Sequence, residues 1–529
     1  MSESTTVLPA ADPPARRGRG GLVLVGVVLV VVLVLGAAAF AAYKFLDGGG
    51  PRPEDALPAS TVAEMSVDLN PHAGQKIAAI QSLQRFPALR KSLGINSADD
   101  LRKYIVDKGL AQVCPQIDYA RDVKPWVGER AAIAAVDLGG RTPAPALVLQ
   151  VSDPAAARTD FAKIASCGKG NGGPAGVGYA VGKDYLIASD TQAHAEAILT
   201  AGTTASLADD PTYQKWSDAR GDAGVLNFYI APTAGRFLGN VLADQLGALP
   251  GVAGQLTQQL GDPATTVKNS LAKFGGAAGA LRFADGGMEL AIAAANGSKG
   301  SSATVGKAVD DLPADTAVVA ALAIPDDFAQ RLVTRAKAAG PSGTSFLNGI
   351  QTQTGLRLPG DLQALLGTAI TFSLGGQAPA DAQGFDKPEN VPFGIVIHGD
   401  PARAQAVITA IADHLGVTLA DVPIVTAQGK DSLALSPSRS YAESLTAAGG
   451  LGSDALFRKA VPDADQAQSL LFIAIDTKWR NAIADLAGDS LSPQQRSDLI
   501  ANLTPFGALG LSSTAGDGVT HVDLRIATR

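Results

Sequence analysis

The chain has 529 residues, of which 46% are apolar, 18% charged and 5% aromatic, and its formal net charge is −7 with a sequence pI near 5.3. This apolar content excludes a disordered chain, and the length exceeds what a single hydrophobic core organises. The acidic balance excludes nucleic acid as a partner, because phosphate binding needs a basic stripe and basic clustering is confined to residues 1–20.

Residues 1–20 read as a disordered basic tail. The segment 21–43 carries no charge from Gly21 to Ala42 and is almost wholly Val and Leu over 22–35. About 20 apolar residues at 1.5 Å each cross a hydrocarbon core of roughly 30 Å, which predicts a transmembrane helix. Arg16, Arg17 and Arg19 precede it, whereas Lys44, Asp47, Arg52, Glu54 and Asp55 nearly cancel after it. The positive-inside rule then keeps the N-terminus cytoplasmic and places the rest outside, making the protein a single-pass component of the cell membrane. A cleaved signal peptide, leaving a secreted protein, is the alternative, since Ala37-Ala38-Ala39 and Ala39-Phe40-Ala41 both fit the small-x-small pattern. The anchor is preferred because a signal peptide's apolar region is usually about 7–15 residues. No cysteine stands here to carry a lipid. Residues 44–56 form a linker, with a short stalk rich in Gly and Pro from Asp47 to Pro53.

A first extracytoplasmic unit is predicted over 57–297. Thr61–Leu69 reads as a strand, and Asn70-Pro71 supplies a cap and a first-turn proline for a helix in which Ile77, Ile80, Leu83, Phe86 and Leu89 recur at helical spacing. A second short helix is predicted over 96–106. Strands follow at 130–136 and 146–152, after which Asp153 caps and Pro154 starts a helix to about residue 165. Strands at 176–181 and 185–189 flank Gly182-Lys183-Asp184, whose Gly and Asp suit a tight hairpin. A helix at 191–200, a strand at 225–230 and an amphipathic helix at 237–260, broken at Pro250-Gly251, lead to a closing hairpin of 276–283 and 288–295.

A polar connector spans 298–311, and a second unit over 312–529 repeats the plan. Its strands are predicted near 316–323, 368–374, 392–398, 423–427, 432–436, 469–475, 507–513 and 519–527. The repetition is visible in the residues themselves. Leu57-Pro58-Ala59-Ser60-Thr61 is echoed by Leu312-Pro313-Ala314-Asp315-Thr316, Asp153-Pro154 by Asp400-Pro401, Gly182-Lys183-Asp184 by Gly429-Lys430-Asp431, and Phe274-Gly275 by Phe506-Gly507. Hairpins and adjacent strands outnumber strand-helix-strand crossovers. The expected fold is therefore α+β: two tandem duplicated units with largely antiparallel sheets and flanking helices, behind one N-terminal transmembrane helix.

The two cysteines, Cys114 and Cys167, both lie in the first unit. Outside the membrane such a pair reads as a disulfide closing a loop of about fifty residues, worth on the order of 4 kcal/mol in the chain-entropy model. A redox or metal-binding pair is the rival, but it has neither CxxC spacing nor a nearby histidine. His72, His194, His398, His414 and His521 match no zinc signature, and no GxSxG elbow is present. The run Gly168–Gly173 and the Gly182-Lys183 pair lack P-loop spacing, so the latter reads as a hairpin turn. Asp99-Asp100, Asp209-Asp210, Asp310-Asp311 and Asp326-Asp327 read as helix-start carboxylates, and Trp126, Trp216 and Trp479 as core. No catalytic, cofactor-binding or metal-ligating residue is assigned, and no cofactor is expected.

The basic N-terminus, the single apolar segment, residues 53–63 (Pro-Glu-Asp-Ala-Leu-Pro-Ala-Ser-Thr-Val-Ala), residues 67–71 (Val-Asp-Leu-Asn-Pro) and above all residues 121–130 (Arg-Asp-Val-Lys-Pro-Trp-Val-Gly-Glu-Arg) resemble the actinobacterial envelope family called domain of unknown function 3352. The resemblance covers nearly the whole chain beyond the anchor. It implies a membrane protein with an exposed ectodomain and carries over no catalytic residue. The expected function is non-catalytic binding of an envelope ligand, an apolar small molecule held between the two units. A scaffold ectodomain that contacts other envelope proteins is the alternative. A divergent envelope enzyme would need a cleft gathering Asp, Ser or His from distant segments.

Overall fold

The computed structural model describes residues 51–68, 116–167, 177–237, 271–284, 287–295, 302–376, 387–418, 422–475 and 503–529, with the single positions 103, 114, 269, 492 and 497. The segment 21–43, the helix predicted from Pro71, nearly all of 96–106 and all but the first residue of 237–260 lie outside the described residues. Among the described residues no helix is long and apolar enough to cross a membrane.

In the first half the strands are β1 (Thr61–Asp68), β2 (Val127–Val136), β3 (Ala144–Val151), β4 (Gly178–Val181), β5 (Tyr185–Ser189), β6 (Leu226–Ile230), β7 (Ala277–Ala284) and β8 (Gly287–Ala295). In the second they are β9 (Thr316–Ala323), β10 (Ala369–Gly375), β11 (Phe393–His398), β12 (Val425–Gln428), β13 (Ser432–Ser436), β14 (Ser469–Ala474), β15 (Phe506–Gly516) and β16 (Val519–Thr528). Each lies where an apolar run bounded by turn residues predicted a strand, with small shifts at the ends.

All sixteen join one sheet in the order β12-β13-β11-β10-β9-β14-β15-β16-β8-β7-β6-β1-β2-β3-β5-β4, and every neighbouring pair is antiparallel. Read from its outer edge, the first half runs β4-β5-β3-β2-β1-β6-β7-β8, and the second runs in the same order with eight added to each number. Where separate sheets were expected there is one, because β8 pairs with β16 from Met288↔Ile526 to Ala295↔Val519. Left apart, these strands of 9 and 10 residues would each present a long unpaired edge. The two Gly-Lys-Asp hairpins match in detail: Gly182 N donates to Tyr185 O and Gly429 N to Ser432 O, each at 2.8 Å.

The helices are α1 (Pro53–Ala56), α2 (Pro154–Cys167), α3 (Gln192–Thr204), α4 (Pro211–Ala219), α5 (Gly306–Asp310), α6 (Phe328–Ala338), α7 (Pro341–Thr354), α8 (Gly360–Leu366), α9 (Pro401–Leu415), α10 (Arg439–Ser444) and α11 (Ala455–Ala460). Carboxylates start several of them. Asp153 accepts from the Ala155 and Ala156 amides at 2.9 and 3.0 Å, Asp400 from Arg403 at 3.0 Å, and Asp210 from Tyr213 at 2.9 Å. Asp310 and Asp311 instead end α5, against the helix-start expectation.

Two predicted connections are more ordered than expected. The linker of 44–56 closes with α1, where Pro53, Glu54 and Ala56 are buried. Pro51 O accepts from Arg130 Nη1 at 3.2 Å, from Gln150 Nε2 at 3.4 Å and from the Tyr185 hydroxyl. Gly202 of α3 lies so close to Ala56 O that a Cβ there would collide with it. The end of the stalk is thus a docked strap. Likewise the connector of 298–311 contains α5, and Val305 and Val309 are fully buried in the second-half core.

Antiparallel partners share a face and successive residues alternate, so register sorts the side chains into two sets. Glu64 and Ser66 mark the first face, which also carries Ala132, Tyr229, Ala278 and Ala293, then Phe472, Val319 and Ala321. It is covered by helices in both halves. Ile198 of α3 and Trp216 of α4 close one core, and Val309 of α5, Tyr441 of α10 and Phe457 of α11 close the other.

Candidate ligand-binding face

The opposite face begins with Ala63, Met65 and Val67 of β1. From Met65 one row runs through Ile133 to Leu147 on one side, and through Phe228, Gly279, Ile292, Val522, Ser513, Ser469 and Leu322 to Ile370 on the other. The next row is a ladder of leucines: Leu226, Leu281, Leu290, Leu524, Leu511 and Leu471, continued by Ala320, Phe372 and Ile395. The serine pair within the apolar row satisfies itself, with Ser469 Oγ 2.8 Å from Ser513 Oγ. Phe228 lies over Gly279 so closely that a Cβ there would meet its ring.

Helices cover this face at its two ends. On the β3 and β5 side, α2 contributes Ala157 and Phe161 to a core with Trp126, Val151, Leu186 and Ala188. On the β11 and β13 side, Ala404 of α9 packs with Ile397 and Leu433. Between them the apolar side chains stay in contact with solvent: Leu322 is 51% exposed, Ile395 44%, Phe372 40% and Leu147 38%, and the ladder leucines beyond Leu226 are half-buried. Alanine, glycine and serine are frequent under the helices beside Tyr229 and Phe472, whereas leucine recurs on the opposite face, where Val67 and Leu226 are buried and the other leucines of the ladder reach solvent. Monomeric soluble proteins rarely leave a contiguous apolar surface of this kind without a use for it.

The buried titratable groups sit on the helix-covered side. Glu54 and Glu64 are 7% and 4% exposed, close to Tyr213 and Arg220. Burial, followed by the charge of Glu54, pushes the Glu64 carboxyl up to about 8, and burial also raises Glu54. Glu289, 3% exposed, is clamped by Arg282 of β7 at 2.7 Å and Arg525 of β16 at 3.0 Å, so an ion triad bridges the seam between the halves. Burial lowers His398 on β11 to about 4, and its Nε2 lies 3.2 Å from Thr371 Oγ1.

The residues singled out in the sequence fall into structural positions. Cys114 and Cys167 are joined as a disulfide with a Cα–Cα distance of 5.6 Å, tying the segment before β2 to the end of α2. Trp126 and Trp216 are each 1% exposed in separate cores, and Trp479 and His72 lie outside the described residues. His194 on α3 pairs with Asp190 at 2.6 Å, His414 on α9 lies with Nε2 3.0 Å from Thr352 O, and His521 is on β16. Among the described residues no three His, Cys, Asp or Glu side chains gather as a metal site. The segment 121–130 works as a strut: it enters from a π-helical turn at Tyr119–Val123, Trp126 Nε1 donates to Asp122 O at 2.8 Å, and Arg130 pairs with Asp68 at 3.0 Å. Two of the motifs quoted for the family resemblance thus meet in one ion pair.

Fold and face together define an α+β protein built on one large antiparallel sheet, covered by helices on one side and, among the described residues, open and apolar over the middle of the other. The chain belongs to the family described as protein of unknown function (DUF3352), which matches residues 22–397. The match begins inside the apolar N-terminal segment and ends within β11, so it is shorter at its C-terminal end than the resemblance implied. No curated protein and no solved structure matches the chain.

Proposed function

We propose that this is a membrane-anchored extracytoplasmic protein, held by residues 21–43, that binds an apolar envelope ligand without catalysis on the open face of its sheet. The observation that carries the reading is the pair of apolar rows across this face, solvent-exposed at Leu147 toward the α2 end and at Leu322, Phe372 and Ile395 toward the α9 end. A long hydrocarbon chain laid across the strands gains contact with successive leucines of the ladder and removes their surface from water, at about 25 cal/mol per Å². The ligand locus is thus the shared face rather than a cleft between two units. Duplication of one eight-stranded unit accounts for the matching strand orders, the paired Gly-Lys-Asp hairpins and the helices capped by Asp153 and Asp400.

A scaffold that recruits partners by sheet extension is less well supported. Both edge strands, β4 and β12, have only 4 residues. At β4 the Gln192 side chain occupies the outward backbone groups of Tyr179, accepting from its N and donating to its O, each at 3.0 Å.

Leu322→Asp and Phe372→Asp, at exposed positions, should keep the wild-type melting temperature yet lose most binding of a fluorescent fatty-acid probe by the full chain. Undiminished probe binding in both variants would remove the face from the account.

A further inference from the structure

At the strand ends where β1 begins and β2 and β6 finish, a pocket of about 350 Å³ is lined by Asp137, Gly139, Gly140, Arg141, Arg236 and Phe237. That is near the lower end of volumes typical for small-molecule sites, about 300–1,000 Å³. Its polar groups are arranged rather than scattered. Asp137 forms an ion pair with Arg236, whose guanidinium carbon also stands 4.5 Å from the Phe237 ring centroid, so this fork is held by charge on one side and by an aromatic face on the other. Asp137 Oδ1 further accepts from the Gly139 amide at 2.9 Å. Gly139 takes φ 85°, which only glycine adopts readily, and the turn it makes places Arg141 on the pocket wall.

The charges do not cancel. Two guanidinium groups face one carboxylate, and that carboxylate is already engaged by Arg236 and Gly139. Among the described residues Arg141 has no ion-pair or hydrogen-bond partner. A planar fork of this kind matches the two oxygens of a carboxylate or phosphate, and the pair of forks makes that match selective for an anion.

We propose that this pocket binds a phosphate or carboxylate group, with Arg141 as the free fork and Arg236 as the pre-positioned one. Ala63, Ala135 and Ile230 end the open apolar face beside it. The chemistry therefore deepens the reading above, on which it rests for the identity of its source: an amphiphile lying on the face would set its acidic headgroup here. A free anion is the other source of the same chemistry.

The test is a ³¹P NMR titration of the full chain, in a non-ionic detergent at low salt, with inorganic phosphate and separately with dihexanoyl phosphatidic acid. Saturable binding of phosphate is expected, weakened about tenfold or more by Arg141→Ala and partly restored by Arg141→Lys, each variant keeping the wild-type melting temperature. Binding of the short-chain lipid about tenfold tighter than phosphate, with the gain lost in Leu147→Asp, two strands from β1 on the same face, assigns the site to a lipid headgroup. Equal affinities assign it to a free anion and leave the pocket standing while the face loses support. Absence of saturable binding by either probe, or an Arg141→Ala variant indistinguishable from wild type, overturns the site. The fatty-acid probe still reads the face independently.

Discussion

Glu64 enters the first-half core with one carboxylate oxygen, Oε1, that has no hydrogen-bond partner among the described residues, and with the charge of Glu54 acting on it. Its carboxyl is raised from an ordinary 4.5 to about 8, first by burial. A folded state that holds this proton more tightly than the unfolded chain is favoured at low pH, and the advantage is lost as pH rises between about 4.5 and about 8. Thermal melts of wild type should therefore fall in midpoint across that interval, and Glu64→Gln, which mimics the protonated form, should flatten the decline. Parallel slopes would show that Glu64 is not the titrating group. Nothing in the local sequence marks this site, because Glu54, Glu64 and the Tyr213–Arg220 pair come from three separate segments, α1, β1 and the helix α4 with its C-cap. Burial is decided by the helices that close over β1. The disulfide, by contrast, was legible from two cysteines and the compartment expected from the N-terminal segment, since a lone pair leaves one connectivity. Replacing Cys114 and Cys167 together by serine should lower stability by on the order of 4 kcal/mol in the loop-entropy model, read by chemical denaturation, whereas an unchanged midpoint would deny the crosslink a structural role.

Among elements, the strands carried the clearest signals. Alternating apolar runs between Gly, Pro, Asn and Asp placed all sixteen, and Asp-Pro pairs placed α2 and α9 at their first turns. Asp326-Asp327 likewise marked the start of α6, but the helices α7 and α8 had no such signature. Pro341, Gly360 and the small polar residues of α7, where Leu347 is the buried side chain, leave too sparse an apolar stripe to separate a helix from a loop. The docked strap was also hidden. Residues 51–56 look like the end of a stalk because Gly48, Gly49 and Gly50 precede them and two of the six are proline, yet Arg130, Gln150 and Tyr185 converge on one carbonyl from strands far along the chain. Tyr185→Phe and Arg130→Ala together should loosen this attachment, seen as faster hydrogen exchange over 53–57 with little change over β9–β16. Protection equal to wild type would mean that burial of α1 alone holds the strap.

At the scale of the whole molecule, the repeat of strand orders was legible as an echo of short motifs, but the fusion into one sheet was not. The last strand of each half reads the same whether it ends an edge or meets a partner, and only the pairing of β8 with β16 and the Glu289 triad across it reveal the seam. The open face was equally hidden, because a sheet with alanine and serine under its helices and leucine on its other side alternates in size more than in polarity. The proposed function rests on that face: we propose that its trough is covered by something apolar. The most direct measurement is native mass spectrometry of the full chain released from detergent in the gas phase, paired with solvent extraction of the purified protein. An apolar molecule carried at fixed stoichiometry by wild type and lost in Leu322→Asp is the predicted result. A bare chain that also fails to take up added lipid would contradict the account.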